Sequence, residues 1–276
     1  MTQTAKPTNG VVLEAPEFYY LLRTFAATQV IGLEADGLFP PPGAAADAML
    51  DEGFARLQLH GWLRPAEQPG RFNLNDELAL LAAVVADPRY VVVVSKNLAE
   101  AEHAVANHYL GADVIVELTV TPERHIRLAF EADRPTLLRR VEELLAPTHN
   151  PLPPARYSLP EPAFEAIQAQ ARRGQPAAAK AGLSAAGLKP DHADSLAQAL
   201  TTPVGDGQLV VVRVAAGEIL AGRRAALHNG PAGGWLARRE EAATAALGVE
   251  TVLPGAVSGV VESFLQSLMV VMELVA

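Results

Sequence analysis

The chain alternates stretches of helical periodicity with short β-branched runs. Residues 17–30 (EFYYLLRTFAATQV) carry apolar side chains at helical spacing, and LFPPPG then breaks the pattern. AADAMLDEGFARLQLHGWL resumes it and stops at Gly61. GWLRPAEQPGRFNLN reads as two short extended pieces about a Pro-Gly turn, and DELALLAAVV as a helix whose acidic first turn suits the helix dipole. YVVVV after Asp87-Pro88 is a buried strand. NLAEAEHAVANHYL is helical, or a long irregular connection with helical bias, closed by Gly111. DVIVELTV and RHIRLAF form a hairpin about TPER. Val116, Leu118, Ile126 and Leu128 make one apolar face, and Glu117, Thr119, His125 and Arg127 a mostly polar one, as in a half-buried sheet. PTLLRRVEELL is a helix with proline in its first turn.

A proline-rich stretch, 147–162, divides this first half (1–146) from a second (163–276). Its composition is that of an extended, stiff linker. Beyond it FEAIQAQARR is helical, AAAKAGLSAAGLKP stands where FARLQLHGWLRP stood, and DHADSLAQAL where DELALLAAVV stood. A constant offset of 119 residues then relates Asp87 to Asp206, the run from Tyr90 to the run from Leu209, Gly111 to Gly230 and Pro135 to Pro254. Leu138, Val141 and Leu145 match Val257, Val260 and Phe264 in the same way. One offset kept through one order of elements indicates an internal duplication of a domain half rather than a solenoid repeat. The two valine runs are then equivalent strands of two pseudo-symmetric halves. The second copy lacks most of AEQPGRFNLN.

Composition narrows the class. Of 276 residues, 50% are hydrophobic and 19% charged, which suits a folded protein with a sizeable core. The net charge of −9 opposes phosphate backbones and anionic membranes. The absence of cysteine excludes disulfides, thiolate nucleophiles and zinc–sulfur sites. The first residues lack the apolar core of a signal peptide. Leu265–Ala276, interrupted by Gln266, Ser267 and Glu273, is too short and polar to span a bilayer and reads as a buried C-terminal helix.

No phosphate-binding glycine loop, nucleophile elbow or metalloprotease motif occurs, so the expectation is a protein that is not an enzyme and holds no cofactor or metal. His103 and His108, five apart in a stretch read as helix-like, would point about 140° apart, which suits surface or capping histidines rather than paired ligands. Glu142-Glu143 after Arg139-Arg140 makes a solvated helix face. Glu240-Glu241, Arg238-Arg239 and Arg223-Arg224 are sequence pairs without a stripe of one charge. From Ala44 to Asn75 the order helix, turn, helix, small wing is that of a winged helix. The presumed recognition helix carries only Arg56, beside Asp51 and Glu52, where DNA readers present several cations and amides. Trp235 and Leu236, in the strand-like GGWLARR, are either core residues or the exposed anchor of a partner-binding patch.

Taken together, LFPPP, then ARLQLHGWLRP with GRFNLNDELALLAAVVADP, then YVVVV, and finally GVETVLPGAVSGVVESFLQSL resemble the EspG family of type VII (ESX) secretion-associated chaperones across most of residues 17–268. ARRGQPAAAKAGLSAAGLKP departs from the family's usual second-half opening. The resemblance implies an α/β (α+β) fold with a central, largely antiparallel sheet flanked by helices and two halves about a pseudo-twofold. It further implies a cytoplasmic, non-enzymatic chaperone that binds helical secretion substrates of the PE–PPE type, or diverged WXG100-like ones, and keeps them soluble. No nucleic acid or membrane insertion is expected, and open sheet edges either support a homodimer or are covered. The alternative reading is a winged-helix regulator that binds DNA. A third is an enzyme with a polar pocket of converging carboxylates or histidines.

Overall fold

The computed structural model describes residues 10–27, 29–33, 39–97, 103–147, 150–239 and 246–270. The elements in chain order are β1 (Val11–Leu13), α1 (Ala15–Thr24), α2 (Ala44–Leu59), β2 (Leu63–Pro65), β3 (Phe72–Leu74), α3 (Asp76–Ala86), β4 (Tyr90–Asn97), β5 (His103–Leu110), β6 (Ile115–Val120), β7 (Ile126–Glu131) and α4 (Arg134–Leu145). They continue as β8 (Arg156–Pro160), α5 (Glu161–Arg172), α6 (Pro176–Ala185), α7 (Pro190–Thr201), β9 (Gly207–Ala215), β10 (Glu218–Gly230), β11 (Gly233–Arg239), β12 (Ala246–Val252) and α8 (Val257–Val270).

The fold is α+β. Ten strands form one sheet in the order β1-β7-β6-β5-β4-β9-β10-β11-β12-β8. That order reads the same way outward from its middle: β4, β5, β6, β7, β1 on one side and β9, β10, β11, β12, β8 on the other. Each side follows a strand, three helices, four strands and a helix in the chain, so the duplication extends to every main element. The first copy adds the wing hairpin β2–β3, with Leu63 opposite Leu74. At the middle, Arg89 accepts from the Val214 amide and the Asn97 amide donates to the Asp206 carbonyl, which fixes an antiparallel register. The valine runs at 91–94 and 210–212 are therefore the two central strands, and Val91, Val92, Val94, Leu209 and Val211 are buried.

Five expectations are corrected. Residues 103–110 form strand β5, not a helix; its odd-numbered Asn107 and Tyr109 face Leu118 and Val116, while His108 lies opposite Glu117. The start of the stretch expected to be helical, 98–102, lies outside the described residues. The first helix ends at Thr24 rather than at 30, where the backbone turns left-handed at Ala26. The segment from Ala44 to Leu59 is one helix, and its partner is α1. In α4, Leu137 rather than Leu138 shares the buried face with Val141 and Leu145. The proline-rich stretch is not linker throughout, since it carries edge strand β8, paired with β12 from Arg156↔Glu250 to Pro160↔Ala246. Asn150 anchors its start: its amide donates to the carbonyls of Gly234 and Val252, and its Oδ1 accepts from the Leu152 amide.

The described residues group into two compact units. One takes those within Met1–Val92, Ala106–Thr136 and Val212–Ala221. In it α1 and α2 pack closely at Gly53, and α3 contacts β6 and β7. Leu13, Phe18, Leu21, Leu57, Leu78, Tyr109, Leu118, Ile126 and Leu128 are buried there. The other takes the described residues within Val93–Val105, Leu137–Val211 and Gly222–Ala276. Its core joins α5, α6 and α7 to β8, β11 and β12 through Leu159, Phe164, Ile167, Leu183, Leu196, Trp235 and Val249.

Candidate partner-binding surface

The structure buries both residues singled out as a partner anchor. Trp235 has 0% of its surface exposed and Leu236 1%. Alternation along β11 sends them to opposite faces of the sheet. The Trp235 ring packs in the α5–α7 core, its Nε1–H donates to Ser195 Oγ at 3.1 Å, and His192 meets it edge-on at 5.7 Å. His192 in turn hydrogen-bonds the Tyr157 hydroxyl. This polar chain satisfies the indole donor inside the core, where an orphaned one would cost about 1–3 kcal/mol. Trp235 and Leu236 are core residues, because β11 is covered on both faces and not on one.

The winged unit offers no cationic reading head at Arg56. Its guanidinium is held by Glu14 and Glu52, and the bond to Glu52 together with both carboxylate charges raises its pKa above the ordinary value. The Glu17 carboxylate lies 2.7 Å from His60 Nδ1 and accepts its N–H. The wing's Phe72 meets Phe54 edge-on at 4.9 Å, and Phe54 packs on Tyr20, so the wing's aromatics serve to seat it on α1 and α2. Arg238 pairs with Glu250 and Arg239 with Glu161, leaving no run of unbalanced cations among these described residues. Glu240-Glu241 lies outside the described residues.

Glu142 and Glu143 part company. Glu143 pairs with Arg139 at 3.0 Å on the solvated face, as the spacing predicts. Glu142 instead accepts from the amides of Gly255 at 2.6 Å and Ser258 at 2.8 Å. It therefore caps the N-terminus of α8 from another helix, with its charge at the positive end of the dipole. His108 is also misplaced by the helical reading: it is fully buried, in a strand, with Nδ1 3.2 Å from Glu131 Oε2.

The β9–β10 ribbon carries two of the large apolar side chains left in solvent, adjacent in sequence. Its two-residue turn is Ala216-Gly217, both with positive φ (51° and 76°), the geometry that matches strand twist in a tight hairpin. β10 is 13 residues long, and among the described residues it pairs with β11 from Ala225↔Arg238 to Gly230↔Gly233. Its first residues carry Ile219 and Leu220, 56% and 53% exposed. As neighbours in a strand they present an apolar side chain on each face. Gln29 ties the turn down by donating to the Gly217 carbonyl at 3.0 Å. The sequence signal lies in RVAAGEIL, a small-residue turn before two apolar residues.

This arrangement defines a class: a two-repeat α+β protein built on one antiparallel sheet, with a wing in the first repeat. A solved structure of that build is the Mycobacterium tuberculosis type VII secretion system chaperone EspG5 in complex with a PE25–PPE41 dimer. The two chains agree with a TM-score of 0.66 at 14% identity, over 93% of this chain and 96% of that one. At such identity the likeness is one of fold. No protein-family model matches the sequence, and no curated protein matches it. No helix among the described residues is long and apolar enough to cross a membrane.

Proposed function

We propose that this protein is a cytoplasmic chaperone or adaptor that binds a helical secretion substrate of a type VII-like system, of the PE–PPE kind, and keeps it soluble without catalysing a reaction. The observation that carries the reading is the fold likeness along nearly the whole chain to a chaperone seen in complex with a PE–PPE dimer. The β9–β10 ribbon supplies the contact: Ile219 and Leu220 are two adjacent exposed apolar side chains near its turn. Burying such a pair against an apolar helix tip gives an interface with few essential charges.

The test is co-expression of the tagged full chain with PE–PPE-like pairs from its own cell, followed by size-exclusion chromatography with light scattering. The expected result is a complex of equal stoichiometry. The double variant I219D/L220D weakens it at least tenfold, about 1.4 kcal/mol, at unchanged Tm. A WXG100-like client is run alongside. Recovery of nucleic acid, or of no helical secretion substrate, overturns the reading. Undiminished binding by I219D/L220D retains the function and removes the ribbon from it.

A further inference from the structure

The face of β5–β6–β7 expected to be polar and wet is in fact closed at one end. In register, His108 lies opposite Glu117, and Glu117 lies opposite Ala129. Glu131 and Arg127 stand two residues to either side of Ala129, so all of these side chains rise from the same face. Exposure runs along that face as a gradient. Val12, opposite Arg127 on β1, is 53% exposed, and the Arg127 side chain 21%. Glu117 and Glu131 side chains are both 5% exposed and His108 0%.

The three buried groups converge. One ligand atom of each of His108, Glu117 and Glu131 lies within 4.8 Å of the others. Neither ring nitrogen of His108 and neither carboxylate oxygen of Glu131 has a hydrogen-bond partner, although His108 Nδ1 and Glu131 Oε2 are 3.2 Å apart. Buried ionisable groups without hydrogen bonds are costly, and such groups in a fold are held by pairing or by a metal. Arg127 holds Glu117 Oε1 at 3.1 Å, which orients that carboxylate as an outer partner orients a metal ligand. Arg134, three residues after Glu131 at the start of α4, is the other cation close by in the chain and keeps contacts of its own.

We propose that His108, Glu117 and Glu131 form a divalent transition-metal site, with zinc the ion its donors fit best, that clasps β5, β6 and β7 together. One imidazole and two carboxylates suit zinc, whose nitrogen and oxygen ligands sit at about 2.0–2.2 Å. Two ligands on a tetrahedral ion of this kind lie about 3.4 Å apart, so the widest donor pair closes by up to roughly 1.4 Å when the ion binds. A divalent ion balances the two glutamates. Since the site rests on this sheet face and not on the ribbon, it stands or falls separately from the chaperone reading.

The test uses the purified full chain, stripped with chelator and titrated with zinc chloride by calorimetry, with metal content and Tm read in parallel. The expected result is about one equivalent bound and a Tm several degrees higher. H108Q and E131Q each lower the affinity at least tenfold. Seven histidines give zinc other places to bind, so these variants carry the assignment. Stoichiometric binding that survives in both overturns the site. So does a wild-type chain that binds no zinc, which leaves the cluster a closed His–Glu–Arg network; this arm decides the matter even if a variant fails to fold.

Discussion

Trp235 shows how little a residue's identity says without its surroundings. A tryptophan in a glycine-flanked strand is more often core, yet it can also be read as an interface anchor. Its fate was decided by α7, which brings Ser195 to the indole nitrogen and His192 to the ring edge. Trp235→Ala is expected to destabilise the fold by about 3–5 kcal/mol, as large-to-small core changes do, lowering Tm by roughly 10 °C in thermal unfolding. Glu142 makes the same point in the other direction. Its neighbours in sequence suggested a solvated pair, yet its carboxylate accepts the two amides at the start of α8. Glu142→Ala is expected to cost about 1–2 kcal/mol in denaturant unfolding, against less than 0.5 kcal/mol for Glu143→Ala on the exposed face.

Elements were legible where their own period was strong. α3, α4, β4 and the β6–β7 hairpin lie where apolar spacing and turn residues put them. β5 was not legible, because HAVANHYL mixes helix-favouring alanines with residues that tolerate either state. Pairing with β6 overrides the propensity, and burial of both faces removes the alternation that would have revealed a strand. β1 and β8 were missed because three or five residues at a sheet edge leave almost no pattern. Close packing of α1 on α2 depends on Gly53, where an added Cβ would sit 2.1 Å from the Pro16 carbonyl oxygen. Gly53→Ala should therefore force the helices apart and destabilise the fold by about 1–3 kcal/mol, although alanine is the better helix former. A Tm equal to or above that of the wild type would show that the helices reseat freely.

At the scale of the whole molecule the duplication organises everything else. Both copies use the same succession of strand, three helices, four strands and helix, and the strand order is mirrored about β4 and β9. A ten-stranded sheet so built has only short β1 and proline-bearing β8 as edges, a disposition that discourages further strand addition. It also carries a ribbon on which Ile219 and Leu220 are exposed side by side. If that tip receives a client, saturation at about a hundred times the dissociation constant should stabilise the chain by about 2.7 kcal/mol. The corresponding rise in Tm should vanish in I219D/L220D.

The sequence by itself determined the two-copy plan, the central valine strands, the helices beside them and the wing, because each is written in local periodicity, turn chemistry or a constant offset. Tertiary structure decided which strand neighbours which, and with that which side chains are dry. It made Trp235 and Leu236 core, turned HAVANHYL into a strand, lifted Ile219 and Leu220 into solvent, and gathered His108, Glu117 and Glu131 from three strands onto one closed face. The reason is physical. Periodicity along a chain reports how one face of an element differs from the other, whereas burial of both faces, or convergence across strands, depends on partners that lie far away in the sequence.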